Sequence, residues 1–186
     1  MSHCNMKKEK ILISACLLEG GPWRYDGKTK YISDPKIKAL LDELLKEDRL
    51  IPVCPEVVGG LEIPRPPAEI QGRGETQGGR KDQKESEPRG RLVVNKQGID
   101  VTSEYLAGAE EAFRIAKEEG VTVAILKEKG PSCGKNFIYD GSFTGTLVPG
   151  EGITAELLRE AGVRIFNEKE VEKAIAFLED EDRLSD

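Results

Sequence analysis

The stretch Val121-Thr-Val-Ala-Ile-Leu126 decides the fold, because a short unbroken run of β-branched and aliphatic residues is typical of a strand buried on both faces. Runs of this kind predict three further strands: Lys10-Ile-Leu-Ile-Ser-Ala15, Leu50-Ile-Pro-Val53 and Val163-Arg-Ile-Phe166. Pro52 lies inside the second of these, which suggests that this strand pairs incompletely or lies near a sheet edge.

Helical patterns alternate with these strands. Asp34 and Pro35 supply the cap and first position of one helix, and Asp100-Val-Thr102 offers capping oxygens to the next, which ends at Gly120. Thr154 is the predicted cap of a third helix, and a fourth has its apolar face at residues 171–178. The alternation predicts an α/β fold of three layers, with a mostly parallel sheet between helices.

The chain has 186 residues, a length that suits one domain with one core. We expect a disordered tail at residues 1–9 and a single domain over residues 10–180. That domain carries a polar, insertion-like loop at about 71–91, and an acidic tail follows at residues 181–186.

Composition excludes several classes of protein. The net charge of −6 argues against direct nucleic-acid binding. No apolar run is long enough to span a membrane, and no secretory signal is visible, so we expect a cytoplasmic protein. His3 is the only histidine and lies in the predicted tail, which leaves no Ser-His-Asp or Cys-His apparatus. The oligomeric state does not follow from the sequence.

Cysteines mark the ends of three predicted strands. Cys16 and Cys54 follow their strands directly, and Cys133 lies a few residues beyond Leu126. The three strand-to-helix connections are long, whereas the helix-to-strand returns are short. Because ligands of open α/β sheets bind beyond the carboxyl ends of the strands, we expect the three thiols to meet there. Cys4 precedes the first strand and is interpreted as part of the tail.

Three converging thiols suit an iron–sulfur cluster, which is held by cysteine thiolates. With three protein ligands, one iron keeps an open position for substrate, whereas zinc prefers four ligands. Buried core cysteines are the plainer interpretation of each position alone. Two alternatives for the whole protein stay open: a binding module that senses a metal or redox state, and a persulfide-based sulfur transferase without a cluster.

Acid–base candidates lie beside the thiols. Glu56 follows Cys54 by two residues, and Ser132 adjoins Cys133. Ser14 is interpreted as a core or supporting residue, and Trp23 as packing for its loop. Arg24-Tyr25-Asp26 is interpreted equally as a surface turn or as a substrate contact. Asp140-Gly141 is interpreted first as a turn, with an active-site role as the second interpretation.

The chain resembles the 2-thiouracil desulfurase family, long catalogued as a domain of unknown function. The resemblance runs from about Lys10 to Phe166. It rests on segments in a fixed order: Ile13-Ser-Ala-Cys-Leu-Leu18, Arg24-Tyr-Asp-Gly27, Cys54-Pro-Glu-Val57, Gly59-Gly-Leu61, Pro64-Arg-Pro-Pro-Ala-Glu-Ile70, Gly98-Ile-Asp-Val-Thr102, Ala124-Ile-Leu-Lys127, Pro131-Ser-Cys-Gly134 and Tyr139-Asp-Gly141.

The resemblance implies a Rossmann-like domain with a [4Fe-4S] cluster on Cys16, Cys54 and Cys133, a cluster that can be absent from an aerobic preparation. It also implies that Glu56 and Ser132 are catalytic. The expected substrate is a small thiolated molecule such as 2-thiouracil, which would give uracil and hydrogen sulfide. The chain departs from the family at Gly130, where a serine is frequent, and in the longer, more charged segment Gln71 to Gly90.

Overall fold

The computed structural model describes residues 9–20, 24–28, 32–72 and 91–184, with side chains as far as residue 180. In chain order the elements are β1 (Ile11–Ser14), α1 (Pro35–Lys46), β2 (Leu50–Val53), α2 (Pro55–Val58), β3 (Ala68–Gly72), β4 (Arg91–Asn95), α3 (Thr102–Glu119), β5 (Val123–Leu126), β6 (Phe137–Tyr139), β7 (Leu147–Pro149), α4 (Ile153–Glu160), β8 (Arg164–Asn167) and α5 (Val171–Leu184).

The four predicted strands form one parallel sheet in the order β2-β1-β5-β8. Leu12 of β1 is paired with Ile51 on one side and with Ala124 on the other. All four residues of β1 are at most 2% exposed, as are those of β5. Both central strands are therefore covered on their two faces, which accounts for their unbroken apolar runs.

Helices cover the two faces of this sheet, and the predicted three-layer α/β fold is confirmed. On one face, Ile11 and Ile13 pack with apolar residues of α1 and α5, among them Leu41 and Leu178. On the other face, Leu12 and its neighbours in β5 pack with the helices α3 and α4. Alternate residues of one strand thus serve opposite layers of the core.

Two antiparallel hairpins were not predicted. One pairs β3 with β4 and the other pairs β6 with β7, and both lie within segments interpreted as long loops. Their strands are short and only partly apolar, so the period-two pattern is weak. Within the described residues, parts of two strand-to-helix connections therefore form antiparallel strands.

Several predicted boundaries need correction. The predicted polar loop at 71–91 begins and ends in strand, because Gln71 and Gly72 belong to β3 and Arg91 to β4. The predicted acidic tail is helical as far as Leu184, since α5 continues to that residue. Residues 1–8 and 73–90, which include Cys4 and His3, lie outside the described residues.

Of the predicted helix caps, Asp34 is confirmed for α1. The N-cap of α3 is Val101, and Asp100 bonds to this helix from the position before the cap. Asp34 accepts hydrogen bonds from the backbone N–H groups of Lys36 and Ile37 at 2.9 and 3.1 Å, and Asp100 accepts one from Thr102 at 2.9 Å. The cap of α4 is Gly152, whereas Thr154 is a fully buried residue inside the helix.

No helix in the described part of the chain is long and apolar enough to cross a membrane. The cytoplasmic location stays a prediction.

Candidate active site

Three thiols line one cavity of about 620 Å³ at the carboxyl end of the sheet. Cys16 lies in a short 3₁₀ turn that directly follows β1, and Cys54 is the residue between β2 and α2. Cys133 lies in the turn after β5 and is 8% exposed. The structure thus brings together the three residues that the strand ends single out.

The cavity lies at the point where the strand order of the sheet reverses. From β1 the chain forms β2 on one side, and it later returns to form β5 on the other side. Across this junction the Ser14 hydroxyl accepts a hydrogen bond from the backbone N–H of Lys127 at 2.9 Å. Ser14 is 2% exposed and also forms a hydrogen bond with the Cys133 thiol. It therefore ties the end of β1 to the segment that carries Cys133.

Burial makes the three thiols hard to ionise. It raises the pKa of Cys16 to about 12; the neighbouring Cys54 adds to this effect, and Lys127 opposes it. Burial likewise raises the pKa of Cys54 and of Cys133, and the charges of the other two thiols raise that of Cys133 further. The thiols are thus close enough for the charge on one to raise the pKa of another.

Glu56 meets an arginine that the sequence interpretation missed. The Arg65 side chain is only 7% exposed, and its Nε and Nη2 both lie 2.7 Å from Glu56 Oε2. Nη2 also approaches Cys54 Sγ at 3.9 Å, and Nη1 donates to the Glu62 carbonyl. Arg65 therefore holds the carboxylate and the thiol of the same turn. Its position within Pro64-Arg-Pro-Pro67, a stiff segment, is the one sequence signal that could have indicated it.

Tyr105 completes this cluster from α3. Its side chain is 3% exposed and its hydroxyl forms a hydrogen bond with Glu56. Burial raises the pKa of Tyr105, and the Glu56 charge raises it further, so the phenol keeps its proton. Tyr105 has no role in the sequence interpretation, because its spacing also fits the apolar face of the predicted helix.

A close backbone contact between α2 and α3 fixes this cluster. A Cβ on Gly108 would lie 2.0 Å from the Pro55 carbonyl oxygen, and one on Gly59 would lie 2.0 Å from that of Glu104. Glycines at both positions let the two backbones touch. Glu56 and Tyr105, which lie on the two helices, are thereby held at hydrogen-bonding distance.

Cys133 is held mainly by backbone hydrogen bonds. At the start of α4, the N–H of Ile153 donates to the Pro131 carbonyl at 2.9 Å, and that of Thr154 donates to the Ser132 carbonyl at 3.0 Å. The Ser132 hydroxyl lies 2.9 Å from Thr154 Oγ1, and Ser132 is 1% exposed. Ser132 is not among the described residues that line the cavity.

The two hairpins form the wall opposite the sheet. Glu69 of β3 lines the cavity and accepts a hydrogen bond from the backbone N–H of Phe143 at 2.9 Å. Gln71 Nε2 donates to the Gly141 carbonyl at 3.1 Å, and a Cβ on Gly141 would lie 2.9 Å from the Ile70 carbonyl oxygen. The hairpins therefore pack as one unit. The sequence interpretation missed Glu69 as a site residue because it missed its strand.

The remaining candidates divide between cavity and surface. Arg24 and Tyr25 line the cavity, and Arg24 forms an ion pair with Asp26 at 3.2 Å. Asp140 accepts a hydrogen bond from the Ser142 N–H at 3.0 Å, as expected for a turn. Trp23 lies outside the described residues. Within the described part of the chain, no group of three His, Cys, Asp or Glu side chains is placed to hold one metal ion.

Comparison with known proteins agrees with this geometry. The chain is 40% identical over 161 residues to YbbK of Bacillus subtilis (strain 168), an uncharacterized protein. The aligned region covers 87% of this chain and 97% of YbbK. A solved structure of the [4Fe-4S]-dependent thiouracil desulfidase TudS is 42% identical, with a TM-score of 0.76 over 92% of this chain and 99% of TudS. The family model for 2-thiouracil desulfurase matches residues 11–170. The chain therefore belongs to the 2-thiouracil desulfurase family.

Proposed function

We propose that this protein is a hydrolase that removes sulfur from a small thiolated substrate such as 2-thiouracil, giving uracil and hydrogen sulfide. The observation that carries the proposal is the convergence of Cys16, Cys54 and Cys133 on one cavity, with Glu56 beside them. The similarity to TudS, whose name states a dependence on [4Fe-4S], supports the same chemistry here.

The residues present fit a [4Fe-4S] cluster. Three thiolates are soft ligands of the kind that iron–sulfur clusters use, and they come from three separate turns around one cavity. Ionising three neighbouring buried thiols is costly, and a cationic metal group offsets that cost. We assign Cys16, Cys54 and Cys133 as its ligands. When bound, the cluster supplies a Lewis-acidic iron with affinity for the sulfur of the substrate.

The protein's own groups then manage water and protons. In the overall reaction, the oxygen of water replaces sulfur on the ring carbon, and the two water protons leave with sulfur as hydrogen sulfide. Glu56 takes a proton from the attacking water and later returns it to the departing sulfur. Arg65 and Tyr105 hold the Glu56 carboxylate in position for both transfers.

Ser132 has a structural role in this proposal. Its hydroxyl is bonded to Thr154 behind the turn that carries Cys133. Ser14 lines the cavity and is the hydroxyl that contacts the Cys133 thiol. We therefore propose that both serines position Cys133 and that Ser132 transfers no proton.

The test is a product balance. Protein purified without oxygen and reconstituted with iron and sulfide is incubated with 2-thiouracil, and uracil and sulfide are quantified. The proposal predicts one uracil and one sulfide per 2-thiouracil consumed, over many turnovers. Turnover by protein free of iron would favour the persulfide alternative. Iron binding without release of sulfide from any thiolated base would favour the sensor alternative.

A further inference from the structure

Glu69 is a buried carboxylate that the chemistry proposed above does not use. It lies on β3, is 7% exposed, and lines the cavity together with the three thiols. Its neighbour Ile70 packs into the hydrophobic core beneath the hairpin. Because successive strand residues point to opposite faces, the core side of β3 anchors Ile70 while Glu69 faces the cavity.

The hydrogen bonds of Glu69 are incomplete. Oε2 accepts one from the Phe143 N–H at 2.9 Å, whereas Oε1 accepts none from the residues that the structure describes. No lysine or arginine of the described chain forms an ion pair with this carboxylate. Because Glu69 lines the cavity, Oε1 is an acceptor that a ligand there can reach. A ligand that brings an N–H donor into the cavity would satisfy it.

Arg24 lines the same cavity, and its guanidinium pairs with Asp26 at 3.2 Å. A carboxylate oxygen at the cavity wall is complementary to a flat ring that carries an N–H. A simple thiol or thioester offers no such N–H.

We propose that Glu69 is a specificity-determining residue that accepts a hydrogen bond from a ring N–H of the substrate. The site accordingly takes cyclic thioamides with a free N–H and rejects those alkylated at that nitrogen. This inference rests on the proposed function for the identity of the substrate class. The rigid strand and the Phe143 N–H hold the carboxylate ready before the substrate binds.

The experiment combines a change in the protein with a change in the ligand. Uracil, 1-methyluracil and 3-methyluracil are titrated calorimetrically into the reconstituted holoenzyme and into Glu69→Gln. Glutamine has the same shape, and its oxygen can still accept the hydrogen bond from the Phe143 N–H. Its NH₂ group then faces the cavity as a donor. The surface variant Glu110→Gln, on the exposed part of α3, is the control.

We expect methylation of one ring nitrogen to weaken binding to the wild-type protein roughly tenfold or more, the effect of losing a hydrogen bond to a charged group. In Glu69→Gln, uracil itself binds roughly tenfold more weakly, and the penalty of that methyl group falls to within about threefold. Methylation of the other ring nitrogen affects both proteins alike. Glu110→Gln behaves as wild type, and the kcat/KM values for the corresponding 2-thiouracils follow the same pattern.

Two results would overturn the inference. One is an equal methylation penalty in the wild-type protein and in Glu69→Gln, with a lower melting temperature for the variant, as expected if Glu69 serves only to join the hairpins. The other is no loss of wild-type binding on methylation of either nitrogen, or no uracil binding at all. Selective uracil binding without any release of sulfide from thiolated bases would instead contradict the proposed function alone.

Discussion

The turns that carry Cys54 and Cys133 are held in different ways. Around Cys54, charged and aromatic side chains meet: Arg65 pairs with Glu56, and Tyr105 bonds to the same carboxylate. Around Cys133, backbone N–H groups at the start of α4 bond to the carbonyls of Pro131 and Ser132. The first turn is built from ionisable groups, and the second from peptide groups with a buried hydroxyl pair.

We infer from this difference that the Cys54 turn takes part in the chemistry and that the Cys133 turn has a structural role. Side chains with labile protons lie on the Cys54 turn, which is where we propose that proton transfer occurs. The Cys133 turn is fixed by groups that do not titrate, so it serves to place a thiol. Substitutions in the first turn should therefore change turnover, whereas those in the second should change stability. Substitutions of Glu56, Gly108 and Ser132 test that division.

Glu56→Gln should abolish most of the activity and leave the metal content intact. The amide can keep hydrogen bonds to Arg65 and Tyr105 but cannot take a proton from water, so we expect kcat to fall roughly 10²- to 10⁴-fold. Iron per chain and the visible spectrum should match the wild-type protein. Glu43→Gln, on the exposed side of α1, is the control. A variant with wild-type kcat would remove Glu56 from the mechanism.

Gly108→Ala should misplace the Cys54 turn from a distance. Its Cβ would lie 2.0 Å from the Pro55 carbonyl oxygen, so α2 and α3 must separate. We expect a loss of about 1–3 kcal/mol in the free energy of unfolding, together with roughly tenfold lower kcat. In an unconstrained helix the same change stabilises by about 1 kcal/mol, so the sign itself is diagnostic.

The matched control for this variant is Gly72→Ala in β3, where a Cβ would meet nothing within 4 Å. Urea unfolding and steady-state kinetics measure both proteins. A stabilised Gly108→Ala enzyme with normal turnover would show that the contact between the two helices does not position Glu56.

Ser132→Ala should have the smallest effect on turnover. Removing the hydroxyl leaves Thr154 Oγ1 without its 2.9 Å partner in a fully buried position, which should cost about 1 kcal/mol of stability. The kcat should stay within about threefold of wild type, because Ser132 does not line the cavity among the described residues. A large loss of kcat with unchanged stability and iron content would restore the catalytic interpretation of this serine.

The sequence predicts the sheet well because its two central strands are buried on both faces and because the cap of α1 is local. Asp34 needs only the next three residues to cap α1, and β5 needs only its own apolar run. The convergence of the three thiols also follows, since it depends only on strand direction. The thiols could therefore be located before any side chain was placed.

Long-range pairings escape the sequence interpretation. The residues next to Arg65 and Tyr105 in the sequence do not indicate that both side chains contact Glu56. For Tyr105 this contact depends on the close approach of α2 and α3 at Gly59 and Gly108. The hairpin partners Ala68 and Asn95 are separated by a long segment, and β3 and β4 carry only a weak alternating pattern. Glu69 was hidden for the same reason.

The measurement closest to the central claim is the metal content of protein prepared without oxygen. We predict a brown wild-type protein with about four irons and four sulfides per chain, as a [4Fe-4S] cluster requires. The triple variant Cys16→Ala, Cys54→Ala, Cys133→Ala should be folded, colourless and without iron. A wild-type protein that stays colourless after reconstitution, or a triple variant that keeps its iron, would contradict the assignment of these three thiols as cluster ligands.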